Sequence, residues 1–355
     1  MKNLRNNFLF LVLRKLGDSF IHLNFINNLA KHNKVSIFYV WINKDCKNVL
    51  INPEDNIVFI ENDFDIHKIK FFQFSNIKNL IENIFYIRSL DIKYVINFYY
   101  STKELFFLKL LKKSSILIKY SKNNNFIKYL YNNQFINWFL LKKNYVGYKT
   151  NKENIYSILE EFDTFLINKL HLKSNFLNNF ANSQNKINIC KTNKVNIGIS
   201  IFSDVPSKNY PLERLSSFIE RYKKYNIYFF IEQTSYLSFF NYKYLDDVNF
   251  ICTDIKSSIK KVNEMDIFIA TDSFFSHVAG INKNILSIIL YGPTLPQNFL
   301  PPNSNYLSDM SNCTHYPCYY KHYCKNQENE FSCMRHINLE IMYAKIDDFI
   351  HNKHK

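Results

Sequence analysis

Glycine is scarce in this chain, with five residues in 355, alongside eight prolines and two tryptophans. With Lys, Asn, Ile, Phe and Tyr all abundant, the scarcity reads as a genome-wide base-composition bias, and it weakens any argument from total charge alone. No Gly-x-Ser-x-Gly elbow occurs, so a hydrolase triad around Ser273, His277 and Asp272 is set aside. Long apolar runs are also missing. The longest early run, Phe8 to Leu13, falls far short of the roughly 20 residues of a membrane span. Arg14-Lys15 follow it where a signal peptide would need small residues, so a first strand and a soluble, cytoplasmic protein are expected.

Dense basic blocks are absent too. The 45 basic and 30 acidic residues give a formal charge of +15, which favours anionic partners, but the lysines stand in isolated pairs such as Lys112-Lys113 and Lys260-Lys261. No nucleic-acid motif accompanies them, so no nucleic-acid partner is expected, while an acidic membrane surface remains open. Seven cysteines, an odd number with four clustered late in the chain, do not form a secreted disulfide framework.

What is present is apolar and patterned. Hydrophobic residues make up 47% and aromatics 17%, enough for sizeable cores, and the length suits two domains. Strands are expected at Phe8–Leu13, Val35–Val40, Ile57–Ile60, Tyr94–Phe98 and Ser115–Lys119, with helical patterns at Ser19–His32, Ile66–Leu90 and Thr102–Lys112. An Asn- and Lys-rich stretch, Lys173–Lys194, suits a linker. Beyond it the alternation resumes. Strands are expected at Val195–Ile201, Ile227–Ile231, Val248–Cys252, Asp266–Ala270 and Ile285–Leu290, with helices at Leu212–Lys224 and Ile255–Glu264. A closing helix, Ile337–Ile350, is expected to pack back on the first domain. Strand-helix alternation means α/β, with mostly parallel sheets.

Polar corners interrupt this pattern where chemistry is expected. Thr271-Asp272-Ser273 ends one apolar run and Gly292-Pro293-Thr294 ends the next, so parallel strands deliver both to the ligand-binding edge of an α/β sheet. Anions such as diphosphates favour that edge. Lys208 lies in a polar loop between strand and helix, placed to neutralise a diphosphate or simply solvated. Glu232 ends a strand, as a ribose acceptor or an ordinary strand-end residue. Asp18, after the first strand, is a general base beside a hydroxyl or, as the local sequence favours, a helix cap with Ser19. Cys313, Cys318, Cys324 and Cys333, with His315 and His322, form a zinc or iron ligand set or a group of packed thiols; no paired Cys-x-x-Cys knuckle decides between them.

In order and separation these pieces resemble glycosyltransferase family 9, the ADP-heptose:lipopolysaccharide heptosyltransferases. The resemblance rests on Leu16-Gly17-Asp18, Lys208 to Leu215, Asp272-Ser273 with His277 and Ala279, Tyr291-Gly-Pro-Thr294, and the late cysteines ending at Cys333-Met334. It implies a GT-B fold of two doubly wound Rossmann-like domains facing across a cleft, an acceptor domain at 1–180 and a nucleotide-sugar domain at 181–355. It also implies inversion at the anomeric carbon with no required cofactor. Asp18 would be the catalytic base and Lys208 the diphosphate contact. Glu232 would bind the ribose, and Asp272, Ser273 and His277 would hold the donor. ADP-heptose would be the donor and the lipid A-core the acceptor, met in peripheral contact with the inner membrane. Two departures qualify this: Phe274 stands where the family usually has glycine, and Ile201-Phe-Ser-Asp204 replaces a small-residue loop. They raise the alternative of a non-catalytic nucleotide-sugar-binding paralogue. The cysteines raise that of a protein (autotransporter) heptosyltransferase with a structural metal.

Overall fold

The computed structural model describes residues 6–13, 15–63, 74–98, 108, 110–111, 114–120, 145–150, 152–174, 176, 194–231, 245, 248–311, 313, 315–319 and 331–353. The chain divides into two compact units, Met1–Phe180 and Ala181–Lys355. In the first, strands β1 (Phe8–Val12), β2 (Phe38–Asn43), β3 (Ile57–Asn62), β4 (Tyr94–Asn97), β5 (Ser114–Tyr120) and β6 (Tyr145–Thr150) form a sheet in the order β3-β2-β1-β4-β5-β6. In the second, β7 (Asn196–Ser200), β8 (Asn226–Phe230), β9 (Asn249–Ile251), β10 (Ile267–Thr271), β11 (Leu286–Leu290) and β12 (Ser304–Leu307) follow the order β12-β11-β10-β7-β8-β9. Every pairing is parallel. Both units therefore repeat the 3-2-1-4-5-6 order of a doubly wound fold, and the α/β class expected from the alternation holds.

The central strands β1 and β10 are buried along their whole length, which explains their unbroken apolar runs. Alternate residues of β1 serve different layers. Phe8 and Phe10 stack on Phe38 at 5.5 and 6.1 Å, while Leu9 and Leu11 join Ile84 and Ile87 of helix Phe74–Ser89. On the aromatic side helix Leu16–His32 brings Phe25 within 6.2 Å of Phe162 on helix Ile155–Leu170. In the second unit Ile197, Ile199, Ile267 and Ile269 face Phe218 and Tyr222 of helix Ser216–Tyr222. The opposite face carries Gly198, whose missing side chain leaves room for Phe268: a Cβ there would lie 2.4 Å from that ring.

Several expectations change. Strand β2 starts three residues later than Val35, because Ser36 N bonds back to Asn33 O at 3.0 Å and closes a turn. Helix Ile155–Leu170 and strands β6 and β12 add elements the pattern did not supply. The closing helix, Tyr343–Lys353, buries Ile346 and Ile350 in the core of the second unit. Arg221 on helix Ser216–Tyr222 anchors it through Asp347 at 2.6 Å. The expected helical stretches at 66–73 and most of 102–112, and the linker at 177–193, lie outside the described residues.

Candidate functional site

Strand order reverses between β7 and β10, so the loops leaving those strands diverge to opposite faces and open a crevice at the carboxyl edge. Lys208, at the end of the 3-10 turn Pro206–Lys208 after β7, and Asp272, directly after β10, meet there. Lys208 Nζ lies 2.8 Å from Asp272 Oδ2 and donates to the Asp272 backbone oxygen at 2.7 Å. Thr294, after β11, donates to the same Oδ2 at 2.6 Å. Three neighbouring strands thus contribute one residue each to a single carboxylate.

The pair is nearly dry, with Lys208 12% and Asp272 5% exposed as side chains. Burial opposes ionisation of Asp272, but the charge of Lys208, the nearby His277 and the bonds from Lys208 and Thr294 outweigh it and hold the carboxyl below its ordinary range. His277 is buried in helix Phe274–Gly280. Burial first, and Lys208 second, lower its pKa to about 4 against the pull of Asp272, so the imidazole is neutral at pH 7. The turn into the helix is closed by Ser276, whose hydroxyl donates to Ser273 O at 2.6 Å and accepts from Ser273 N at 3.3 Å. A cation, a carboxylate and a neutral imidazole at a switch point form a site that can carry and orient an anion.

Lys208, Asp272, Ser273 and His277 are therefore brought together as the sequence grouped them. Thr294 joins them unassigned. Its signal was available, since it is the first side-chain donor after an apolar run adjacent to that ending at Asp272. Glu232 lies outside the described residues.

Asp18 belongs to the first unit and is described there. The helix begins at Leu16 with Lys15 as its cap residue, so Asp18 lies within the first turn and not at the cap; the capping role is corrected. Asp18 is half-buried at the positive end of the helix. His22, one turn on, is fully buried and stacks on Phe98 with centroids 4.1 Å apart and planes at 17°. Phe98 follows β4, and β1 and β4 flank the reversal in this sheet. Asp18 thus lies on the helix that leaves β1 beside that switch point.

The cysteine-rich loop packs on the loop of Thr294. Tyr319 N donates to Pro293 O at 3.1 Å and the Tyr316 hydroxyl to Thr294 O at 3.4 Å. Gly292 makes this approach possible, since a Cβ there would lie 2.5 Å from Met334 Sδ. Cys313, Cys318, Cys333 and His315 line one cavity of about 20 Å³ with Ser207 and Pro293, room for little more than one water molecule. Among the described residues no three His, Cys, Asp or Glu side chains meet as a metal ion requires; Cys324 and His322 lie outside them.

No protein-family model and no curated protein sequence matches the chain. In structure it is similar to a glycosyl transferase family 9 protein from Veillonella parvula, with 16% identity, a TM-score of 0.66 and 98% of each chain covered. It is similar as well to the heptosyltransferase WaaC of E. coli, solved with ADP, at 11% identity and TM-score 0.66 over 97% of this chain and 99% of that one. A third likeness is to the iron-containing dodecameric glycosyltransferase TibC from enterotoxigenic E. coli, at 12% identity and TM-score 0.51 over 99% of this chain and 77% of TibC. At these identities the likeness establishes the fold, which is the one the family resemblance implied.

Proposed function

We propose that the chain is an inverting glycosyltransferase of the family 9 type that moves heptose, or a similar sugar, from an ADP-linked donor to the inner core of a lipopolysaccharide at the cytoplasmic membrane face. The observation that carries this reading is the convergence of Lys208, Asp272, Thr294 and His277 at the switch point of the second sheet. It occurs in a fold shared with a heptosyltransferase solved with ADP.

In this reading the acceptor hydroxyl attacks the anomeric carbon and its proton passes to Asp18. The new C–O bond forms as the bond to the diphosphate breaks, and ADP leaves with that electron pair. Lys208 and the neutral His277 offset the charge growing on the departing phosphate. Asp272 holds Lys208 in place for that task, and Thr294 orients Asp272. Ser273 is assigned to the donor's phosphates and Glu232 to its ribose. A protein acceptor is the alternative raised by the likeness to TibC, which is weaker and covers less of that chain. A non-catalytic nucleotide-sugar-binding role is the alternative raised by Phe274.

Calorimetry with ADP-heptose, against UDP- and GDP-sugars, tests the donor. Transfer of labelled sugar to a purified core acceptor tests the reaction. Selective binding of the ADP-sugar is expected, with turnover abolished in Asp18→Asn while donor binding persists. Full turnover by Asp18→Asn would remove the assigned base, and folded protein that ignores ADP-heptose would remove the donor.

A further inference from the structure

Four phenylalanine rings form a column on the face of the second sheet opposite Ile197, Ile199, Ile267 and Ile269. The column begins over Gly198 of β7, which pairs with Phe268 of β10 on one side and Tyr228 of β8 on the other. Phe230, two residues beyond Tyr228, shares its face. Because Gly198 has no side chain, rings from β10 and β8 meet across the strand between them, Phe268 and Phe230 standing 5.2 Å apart at 63°. Phe230 ends β8 at the carboxyl edge, and Phe275 of helix Phe274–Gly280 packs on it at 5.5 Å and 56°. Phe274 completes the series, 5.0 Å from Phe275 at 54°.

Burial falls along the column. Phe268 and Phe230 are 0% and 2% exposed, whereas Phe275 and Phe274 are half-buried. Inclined rings at these separations are a favoured aromatic contact, so each ring steadies the next. The inner three fill the face of the sheet. The fourth carries the series out to the loop after β10, one wall of the crevice that holds Lys208 and Asp272. Phe274 stands two residues from Asp272, so their Cα atoms lie within about 7 Å of each other.

That distance limits what the ring can meet. In a nucleotide-sugar whose diphosphate lies against Lys208, the transferred sugar is joined directly to phosphate, while the base stands one ribose further off. The face of a phenyl ring is electron-rich, so it repels phosphate oxygens and attracts hydrogens that carry partial positive charge. The C–H groups on one side of a pyranose are of that kind. We infer that Phe274 is the platform for the donor's sugar, a pyranose that lays its C–H face on the ring. The inference rests on the proposed donor site and adds which part of the donor is selected, and by what contact.

Calorimetry of wild type, Phe274→Leu and Phe274→Tyr with ADP, ADP-heptose and ADP-glucose tests it. Phe274→Leu keeps apolar bulk and removes the aromatic face. It is expected to bind the two ADP-sugars about five- to tenfold more weakly while its affinity for ADP is unchanged. Phe274→Tyr should bind all three like wild type. Circular dichroism and melting check folding, and Phe274→Met repeats the loss of the ring with a more adaptable side chain should the leucine variant fail to fold. Equal weakening of ADP and the ADP-sugars would move the contact from the sugar to the nucleotide, and unchanged or tighter ADP-sugar binding would make the ring an obstruction. Either result overturns the inference and leaves the donor reading standing. Folded wild type that binds no ADP-sugar would instead overturn the donor reading, and this inference with it.

Discussion

Lys208 reaches Asp272 twice, at the carboxylate Oδ2 and at the backbone oxygen, so one ammonium ties together the loops after β7 and β10. Removing one partner of a buried ion pair leaves the other charge uncompensated. Lys208→Ala is therefore expected to destabilise the second unit by about 3 kcal/mol, read by urea denaturation, as well as to weaken donor binding. Thr294→Val removes one bond to the same oxygen without touching charge and should cost about 1–2 kcal/mol. A stability loss in Lys208→Ala no larger than that in Thr294→Val would show the ion pair to be unimportant.

Acid should loosen the second unit before any carboxylate of ordinary strength titrates. The folded pKa of His277, about 4, lies below its usual 6.5, so between those values the unfolded chain binds the extra proton. Stability is then fully present above about pH 6.5 and falls by roughly 3 kcal/mol as the pH drops toward 4. Asp272, with its lowered pKa, adds a loss of the same sign at still lower pH. His277→Gln should flatten the profile between pH 6.5 and 4; an unchanged slope would remove the assignment.

Asp163 in the first unit works the other way. Its carboxyl is pushed up to about 6 by burial, against hydrogen bonds from Ser174 and the Phe176 amide. Here the folded state holds the proton more tightly, so the buried carboxylate costs stability as pH rises from the usual 3.8 through 6. Asp163→Asn should stabilise the protein by up to about 3 kcal/mol at neutral pH. The gain should vanish near pH 4, and one that persists there would have another origin.

Gly292→Ala probes the packing of the cysteine-rich loop. The added methyl would meet Met334 at Sδ and Cγ, 2.5 and 2.6 Å away, in a fully buried setting. Overpacking of this kind costs about 1–3 kcal/mol. Because Met334 is flexible, Gly292→Ala combined with Met334→Leu should show non-additive costs in a double-mutant cycle. Strict additivity would mean that the two side chains do not press on each other.

Central strands were legible because they are buried on both faces: Phe8–Val12 and Ile267–Thr271 are unbroken apolar runs. The edges were not. β12 reads Ser304-Asn-Tyr-Leu307 and β6 holds Gly147 and Lys149, since a strand with one neighbour is under weaker demand for apolar residues. Helix Ile155–Leu170 does carry a periodic signal, with Ile155, Ile158, Leu159, Phe162 and Leu166 all buried. Its N-cap Asn154 accepts from Tyr156 N at 2.9 Å, but that residue sits in an Asn-rich stretch where no single Asn stands out. At the site, motif residues 64 positions apart, Lys208 and Asp272, could be grouped by resemblance. Their direct bond, and the part played by Thr294, depend on strand order, which local sequence does not encode.

The position of the closing helix also constrains the order of events during synthesis. Ile346 and Ile350 complete the same core that β7 begins some 150 residues earlier, among strands that all pair in parallel across crossovers. No hairpin among them offers a local start, and such long-range contacts form slowly. The second unit therefore cannot close its hydrophobic interior until residue 350 has left the ribosome.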